Sequence, residues 1–218
     1  MVSLKKSKSL IISIGLFIIF VIFTILLKIV DVKGIGPNDS KVGFAFLNGH
    51  FQMLIGYNRA LYKITEVLGI ISLLIVLVYG LIGLIELVRT KSFKKVDKNL
   101  YKLLAFYIIV LIFYVFFEKV IINYRPILLI TNNYLLEPSY PSSHTILSLC
   151  VCGSAIIINK NLCKKYNFLK IVSIISLVLM FLIPIGRLFS GVHWLTDIIG
   201  GVLLSSSLLA GFYFVIKR

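Results

Sequence analysis

The chain has 218 residues, 59% of them apolar and 14% charged, where a soluble domain carries roughly half apolar and about a quarter charged residues. That composition excludes a soluble globular fold. The formal net charge of +15, from 23 Lys and Arg against 8 Asp and Glu, points to nucleic acid only if the basic residues share one polar face; clustered between apolar runs, they are signals of membrane topology.

Leu10 to Leu27 is an uncharged run of 18 residues, close to the ~20 needed to cross about 30 Å of hydrocarbon. Lys5, Lys6 and Lys8 precede it as in a signal peptide, but the run is long and no small-x-small cleavage site follows, which predicts a retained anchor. An outer loop over residues 31–62 opens on the breakers Gly34, Gly36, Pro37, Asn38 and Asp39. Its second half interleaves Phe44, Leu47, Phe51, Leu54 and Ile55 with Asn48, His50, Gln52 and Asn58. That pattern fits a helix lying in the membrane interface, and equally a loop packed on the bundle. Asn38-Asp39-Ser40 reads as a glycosylation sequon of a kind that arises often by chance.

Val67 to Ile85 gives a second span, and the shorter runs Leu103 to Phe117, His144 to Asn159 and Ile171 to Gly186 give three more that extend into polar flanks. Ile198 to Ile216 is the sixth. The expected fold is all-α: a polytopic membrane protein of six transmembrane helices in a bundle, one domain over residues 1–218. Cys150 and Cys152 fall in the fourth span and Cys163 in a loop, so reduced or buried thiols are expected, and alternate positions on a helix do not make a metal pair.

Six spans place both termini on one side. That side collects 15 of the 23 basic residues: Lys5, Lys6, Lys8, Arg89, Lys91, Lys94, Lys95, Lys98, Lys102, Lys160, Lys164, Lys165, Lys170, Lys217 and Arg218. The termini are therefore expected to be cytoplasmic, in the cell membrane, with the other face extracytoplasmic. The charge then implies the bilayer, and no nucleic acid, as its partner.

Ionisable residues beside spans are costly and mark functional sites. Here they gather in three segments at the outer ends of spans three to six: Glu118, Lys119, Arg125 and Pro126; then Pro141-Ser142-Ser143-His144; then Arg187 to Asp197. Arg125 and Arg187 offer fork-shaped donors suited to phosphate oxygens. Ser142 and Ser143, just before a helix start, offer hydroxyls and backbone N–H groups to the same anion. His193 and Asp197 stand four apart, so the carboxylate can hold the imidazole Nδ1 proton and leave Nε2 free to attack; His144 is placed to act as a general acid. Taken singly, each has a plainer explanation: an interfacial histidine, a snorkelling arginine, a serine cap, and Trp194 as an interfacial anchor. Their coincidence at the face where basic residues are scarce favours a site. One acid and two histidines give too few ligands for a metal hydrolase, and the arginines repel a cation.

These residues resemble the type 2 phosphatidic acid phosphatase superfamily, integral membrane phosphatases related to the vanadium haloperoxidases. The family pattern is Lys-x6-Arg-Pro, then Pro-Ser-Gly-His, then Ser-Arg-x5-His-x3-Asp. Arg125-Pro126 matches the end of the first motif, Pro141-Ser142-Ser143-His144 the second with Ser for Gly, and Gly186-Arg187, His193 and Asp197 the third with Gly for Ser. Glu118 stands where the family lysine belongs, and Lys119 follows it, about 100° around a helix. Either a π-bulge turns Lys119 to the phosphate or the site does without it. The resemblance implies a mechanism without metal or cofactor. His193 attacks phosphorus, His144 protonates the leaving oxygen and activates water, and Asp197 orients His193. Arg125, Arg187, Ser142, Ser143 and Lys119 would hold the phosphoryl oxygens. The implied substrates are lipid phosphates: undecaprenyl diphosphate, phosphatidylglycerophosphate or phosphatidate. Phosphoryl transfer to a lipid or sugar hydroxyl, and non-catalytic binding or transport of a lipid phosphate, remain alternatives that the same residues admit.

Overall fold

Long apolar runs become helices because hydrocarbon offers no partner to a backbone N–H or C=O, so each must be satisfied within its own segment. The computed structural model describes residues 2–129 and 135–217, with side chains from Lys8 onward; of the orientation count, Arg218 and the side chains of Lys5 and Lys6 lie outside what is described. Among the described residues the helices are α1 (Val2–Ile29), α2 (Ala45–Ile55), α3 (Arg59–Thr90), α4 (Lys98–Lys119), α5 (Ser143–Leu162), α6 (Leu169–Phe189) and α7 (Leu195–Ile216). All but α2 are long and apolar enough to cross a membrane. The protein is an all-helical, multi-pass membrane protein.

The helix α3 starts two turns ahead of the predicted Val67 because Asn58 caps it, its side chain accepting the Leu61 N–H at 3.0 Å. At 1.5 Å per residue its 32 residues span about 48 Å, well beyond the hydrocarbon thickness. The excess at its start carries Tyr62, Thr65 and Glu66 past the apolar run.

The bundle is apolar on its outside as well as in its core, and buried hydroxyls sit among the core side chains. Ile11, Ile70, Leu111, Ile174 and Phe181 are exposed, while Ser72, Thr145, Ser148, Ser154, Ser176 and Ser205 are buried. The centre is α5, packed against α3, α4, α6 and α7, with 67% of its span buried against 11% for α1. Because protein rather than lipid surrounds it, α5 can be the least apolar span. Its Asn159 accepts from the Tyr79 hydroxyl at 2.8 Å and donates to Leu169 O at 3.0 Å and Ser173 Oγ at 2.8 Å, tying α3 and α6 to α5. At the same end of the bundle the buried Glu86 accepts from Asp97 N at 2.8 Å and Tyr166 Oη at 2.9 Å, and pairs with Lys165. By contrast α3 and α4 barely touch, and an open seam runs between them.

At the opposite end, the segment for which sequence left two readings is a helix. The Phe46, Met53 and Leu54 side chains of α2 point outward, and Asn48 points in. Its Nδ2 donates to Thr196 Oγ1 at 3.0 Å, and its Oδ1 accepts from Thr196 N at 3.2 Å, pinning α2 to the start of α7. Gln52 Nε2 donates to Gly191 O at 3.1 Å, and Asn58 N to Ser190 O at 3.0 Å. Gly191 has φ +69°, and a Cβ there would fall 1.8 Å from Gly56 O. Only glycine lets the turn after α6 pass this close to the turn before α3.

Candidate active site

The starts of α3, α5 and α7 and the ends of α4 and α6 meet at this end of the bundle. Asp197 is the third residue of α7. Its Oδ2 accepts the Trp194 N–H at 3.0 Å, and its own N–H donates to Trp194 O at 3.0 Å, so the carboxylate first serves as a helix cap. The same Oδ2 lies 3.5 Å from His193 Nδ1, and Oδ1 accepts from Asn123 Nδ2 at 3.4 Å. His193 therefore precedes the helix instead of sharing a face of it with Asp197; the capping turn brings the two together. Both are buried. Burial first, and then the Arg125, Arg187 and His144 charges, hold the His193 pKa well below the usual imidazole range. A neutral imidazole is the form that can act as a nucleophile.

Ser142 caps α5 and is fully buried: its N–H donates to Asp197 O at 3.0 Å, and its Oγ accepts from Thr145 Oγ1 at 3.0 Å. These groups are engaged within the protein, and Ser142 lines neither of the two cavities at this site. The backbone bond locks the start of α5 to the start of α7. Ser143 is the serine that reaches a cavity, and His144 follows it into a larger one.

Arg187 is 0% exposed, far from the snorkelling an interfacial arginine ordinarily shows. Its Nη2 lies 2.5 Å from Glu66 Oε1 and 2.5 and 2.8 Å from the two His144 ring nitrogens, its Nη1 donates to Thr65 Oγ1 at 3.3 Å, and its Cζ lies 5.2 Å from the centre of the Tyr62 ring. The projecting start of α3 thus builds the Arg187 pocket. Gly186 belongs to that packing: a Cβ there would come 2.6 Å from Thr65 Cγ2, which accounts physically for glycine where the family has serine.

Arg125 is placed by a short pairing of two irregular segments: its N donates to Glu137 O at 3.0 Å, and Ser139 N to Asn123 O at 2.9 Å. This sets Arg125 Nε 2.6 Å from Glu137 Oε2. Trp194, expected as an interfacial anchor, is buried, and its Nε1 donates to Tyr124 O at 2.7 Å, so it braces the residue before Arg125.

The helix α4 continues as regular α-helix to Lys119, without the π-bulge that would turn this lysine inward. Lys119 is exposed and joins none of the hydrogen bonds and ion pairs described for the site. Glu118 instead lines a small cavity with His193, Ser143, Tyr114 and Pro141. Tyr114, Ser143 and Ile146 also border a second cavity of about 530 Å³ in the seam, lined by Gly69, Ile70, Leu73, Val110, Leu111, Leu147 and Val151, with Glu66 and His144 at its polar end. Among the described residues no three His, Cys, Asp or Glu converge as a metal cage.

Sequence reading thus found both histidines, both arginines and Asp197, which the structure gathers, and missed Glu66 and Glu137. Glu66 did carry a signal, as an acid bordering a long apolar run.

Residues 100–218 match the PAP2 superfamily. Among solved structures the chain is similar to that of the first transmembrane PAP2-type phosphatidylglycerolphosphate phosphatase from Bacillus subtilis, at 21% identity and a TM-score of 0.60, covering 94% of each chain. No curated protein matches.

Proposed function

Since the chain belongs to the PAP2 superfamily, we propose that it is a membrane lipid phosphatase, working through a phosphohistidine on His193. The observation that carries this reading is the joining of two unlike spaces. A pocket holding a buried histidine with a carboxylate behind it adjoins an apolar cavity of about 530 Å³ that opens along the α3–α4 seam. An acyl or prenyl chain fits the seam, and its phosphate then reaches over Ser143 to His193.

In the first step the His193 Nε2 lone pair bonds to phosphorus, the bond from phosphorus to the lipid oxygen breaks, and His144 gives that oxygen a proton. In the second, water attacks phosphorus, its proton passes to His144, and the P–N bond breaks. Asp197 holds the imidazole with Nδ1 toward the carboxylate. Arg187 and Arg125 bind the phosphoryl oxygens and stabilise their transition-state charge. No step requires a metal. Undecaprenyl diphosphate, phosphatidylglycerophosphate and phosphatidate are the candidate substrates, and the likeness to a phosphatidylglycerolphosphate phosphatase favours the second as the first to assay. The basic end of the bundle, with Lys91, Lys94, Lys95, Lys98, Lys164 and Lys165, faces the cytoplasm in this reading, and the site faces outward.

Purified protein in detergent should release phosphate from at least one of these lipids, insensitive to chelator, and His193→Ala should lower the rate at least about 10⁴-fold. Full activity in that variant overturns the mechanism. A phosphorylated acceptor in place of free phosphate would mark transfer rather than hydrolysis.

A further inference from the structure

Both arginines offered to the phosphate already hold a carboxylate, and neither acid belongs to the motifs that identify the site. Arg125 has Glu137 at 2.6 Å, and Arg187 has Glu66 at 2.5 Å. The second pair is asymmetric. Arg187 is 0% exposed and fixed by Thr65 and His144, whereas the Glu66 side chain is 42% exposed and borders the apolar cavity. One partner is anchored and the other has room to leave. Glu66 Oε1 also lies 3.4 Å from His144 Nε2, so one oxygen stands before both groups that a phosphate must reach.

The charges decide what can displace it. A headgroup that takes Arg187 must replace a carboxylate of charge −1. The phosphodiester of an ordinary bilayer phospholipid is also −1, so the exchange gains nothing. A terminal phosphomonoester carries about −1.5 to −2 and presents three acceptor oxygens, so it does gain. A site open to the bilayer through a seam meets phosphodiesters in great excess over its substrate and needs such discrimination.

We propose that Glu66 is an internal counter-ion that every headgroup must displace from Arg187, a common cost that still lets lipids with a terminal phosphate bind but holds phosphodiester lipids below the affinity at which they occupy the site. The inference rests on reading the site as that of a lipid phosphatase. It places Glu66 among the groups that move on binding, in contrast to a structural counter-ion that stays paired.

The test compares the full-length wild type with Glu66→Gln in neutral detergent micelles, at fixed surface fraction of phosphatidate and increasing phosphatidylglycerol. The wild type should be inhibited only at high surface fractions of phosphatidylglycerol. Glu66→Gln should be inhibited by phosphatidylglycerol at roughly tenfold lower surface fraction, equivalent to about 1.4 kcal/mol. The phosphatidate KM should fall by a similar factor, since the cost is common to both lipids, and unchanged inhibition by phosphatidylglycerol in the variant overturns the proposal. Should Glu66→Gln turn over too slowly to measure, protection against thermal unfolding gives the same comparison. Phosphatidylglycerol should protect the variant at a lower surface fraction than the wild type; equal protection overturns the proposal. If the wild type releases no phosphate from any lipid phosphate, the phosphatase reading fails, while thermal protection still reports whether Glu66 competes with a headgroup for Arg187.

Discussion

His193 is one of the buried groups through which the site responds to acid. Its pKa lies well below the ordinary value, chiefly through burial, while the unfolded chain titrates near 6.5. Below about pH 6.5 the unfolded state therefore binds more protons than the native one, and stability falls as pH drops, with a slope approaching about 1.4 kcal/mol per pH unit from this residue. The His193 contribution is read as a difference: in thermal unfolding between about pH 8 and 5 in detergent, wild-type stability should change with a more positive slope against pH than that of His193→Gln, and identical slopes would remove it. Asp197 has two duties, and Asp197→Asn separates them: losing the charge behind His193 should lower kcat by about 10³- to 10⁴-fold, whereas weakening the α7 cap should cost only about 1 kcal/mol in Tm measurements. What was legible at this scale follows from distance along the chain. His193 and Asp197 are four residues apart and declare each other by spacing. Glu66 and Arg187 are 121 residues apart, and no local pattern joins an acid on α3 to an arginine on α6.

The helices were legible in proportion to their contact with lipid. The outlying α1 stood out as a run of 18 uncharged residues, whereas the central α5, wrapped by four helices, carries serines and Asn159 because protein satisfies them. The start of α3 was hidden for the opposite reason: its first turns leave the hydrocarbon, so apolarity could not report them, and only the Asn58 cap marks the boundary. For α2 the alternation of apolar and polar residues admitted either helix or loop; the deciding contacts are Asn48 with Thr196, 148 residues away. Asn48→Ala should leave the buried Thr196 N–H without that partner and cost about 1–3 kcal/mol. Hydrogen exchange should then speed up across Ala45–Ile55 relative to α5. Gly191→Ala, which forces a Cβ against the Gly56 carbonyl at a positive φ, should destabilise the protein more than a typical surface change.

At the scale of the whole molecule, the seam between α3 and α4 is the proposed path of the lipid chain. Leu73 lines its cavity, and a tryptophan there would fill space the chain needs. Leu73→Trp should raise KM for a long-chain lipid phosphate about tenfold more than for a short-chain one, roughly the burial of two methylenes; an unchanged ratio would remove the seam from the binding path. The seam was invisible to sequence, since two apolar helices read the same whether or not they touch. A different rigidity holds across the bundle. The hydrogen bond from Ser142 N to Asp197 O joins the helix that bears His144 to the helix that His193 precedes, at their shared starting edge. Membranes of unequal thickness tilt helices and displace their far ends, but helices pinned at one edge pivot about the pin. On the proposed reading, the spacing of the two histidines should then vary little with bilayer thickness, and the unpinned seam proposed as the lipid's path should vary more.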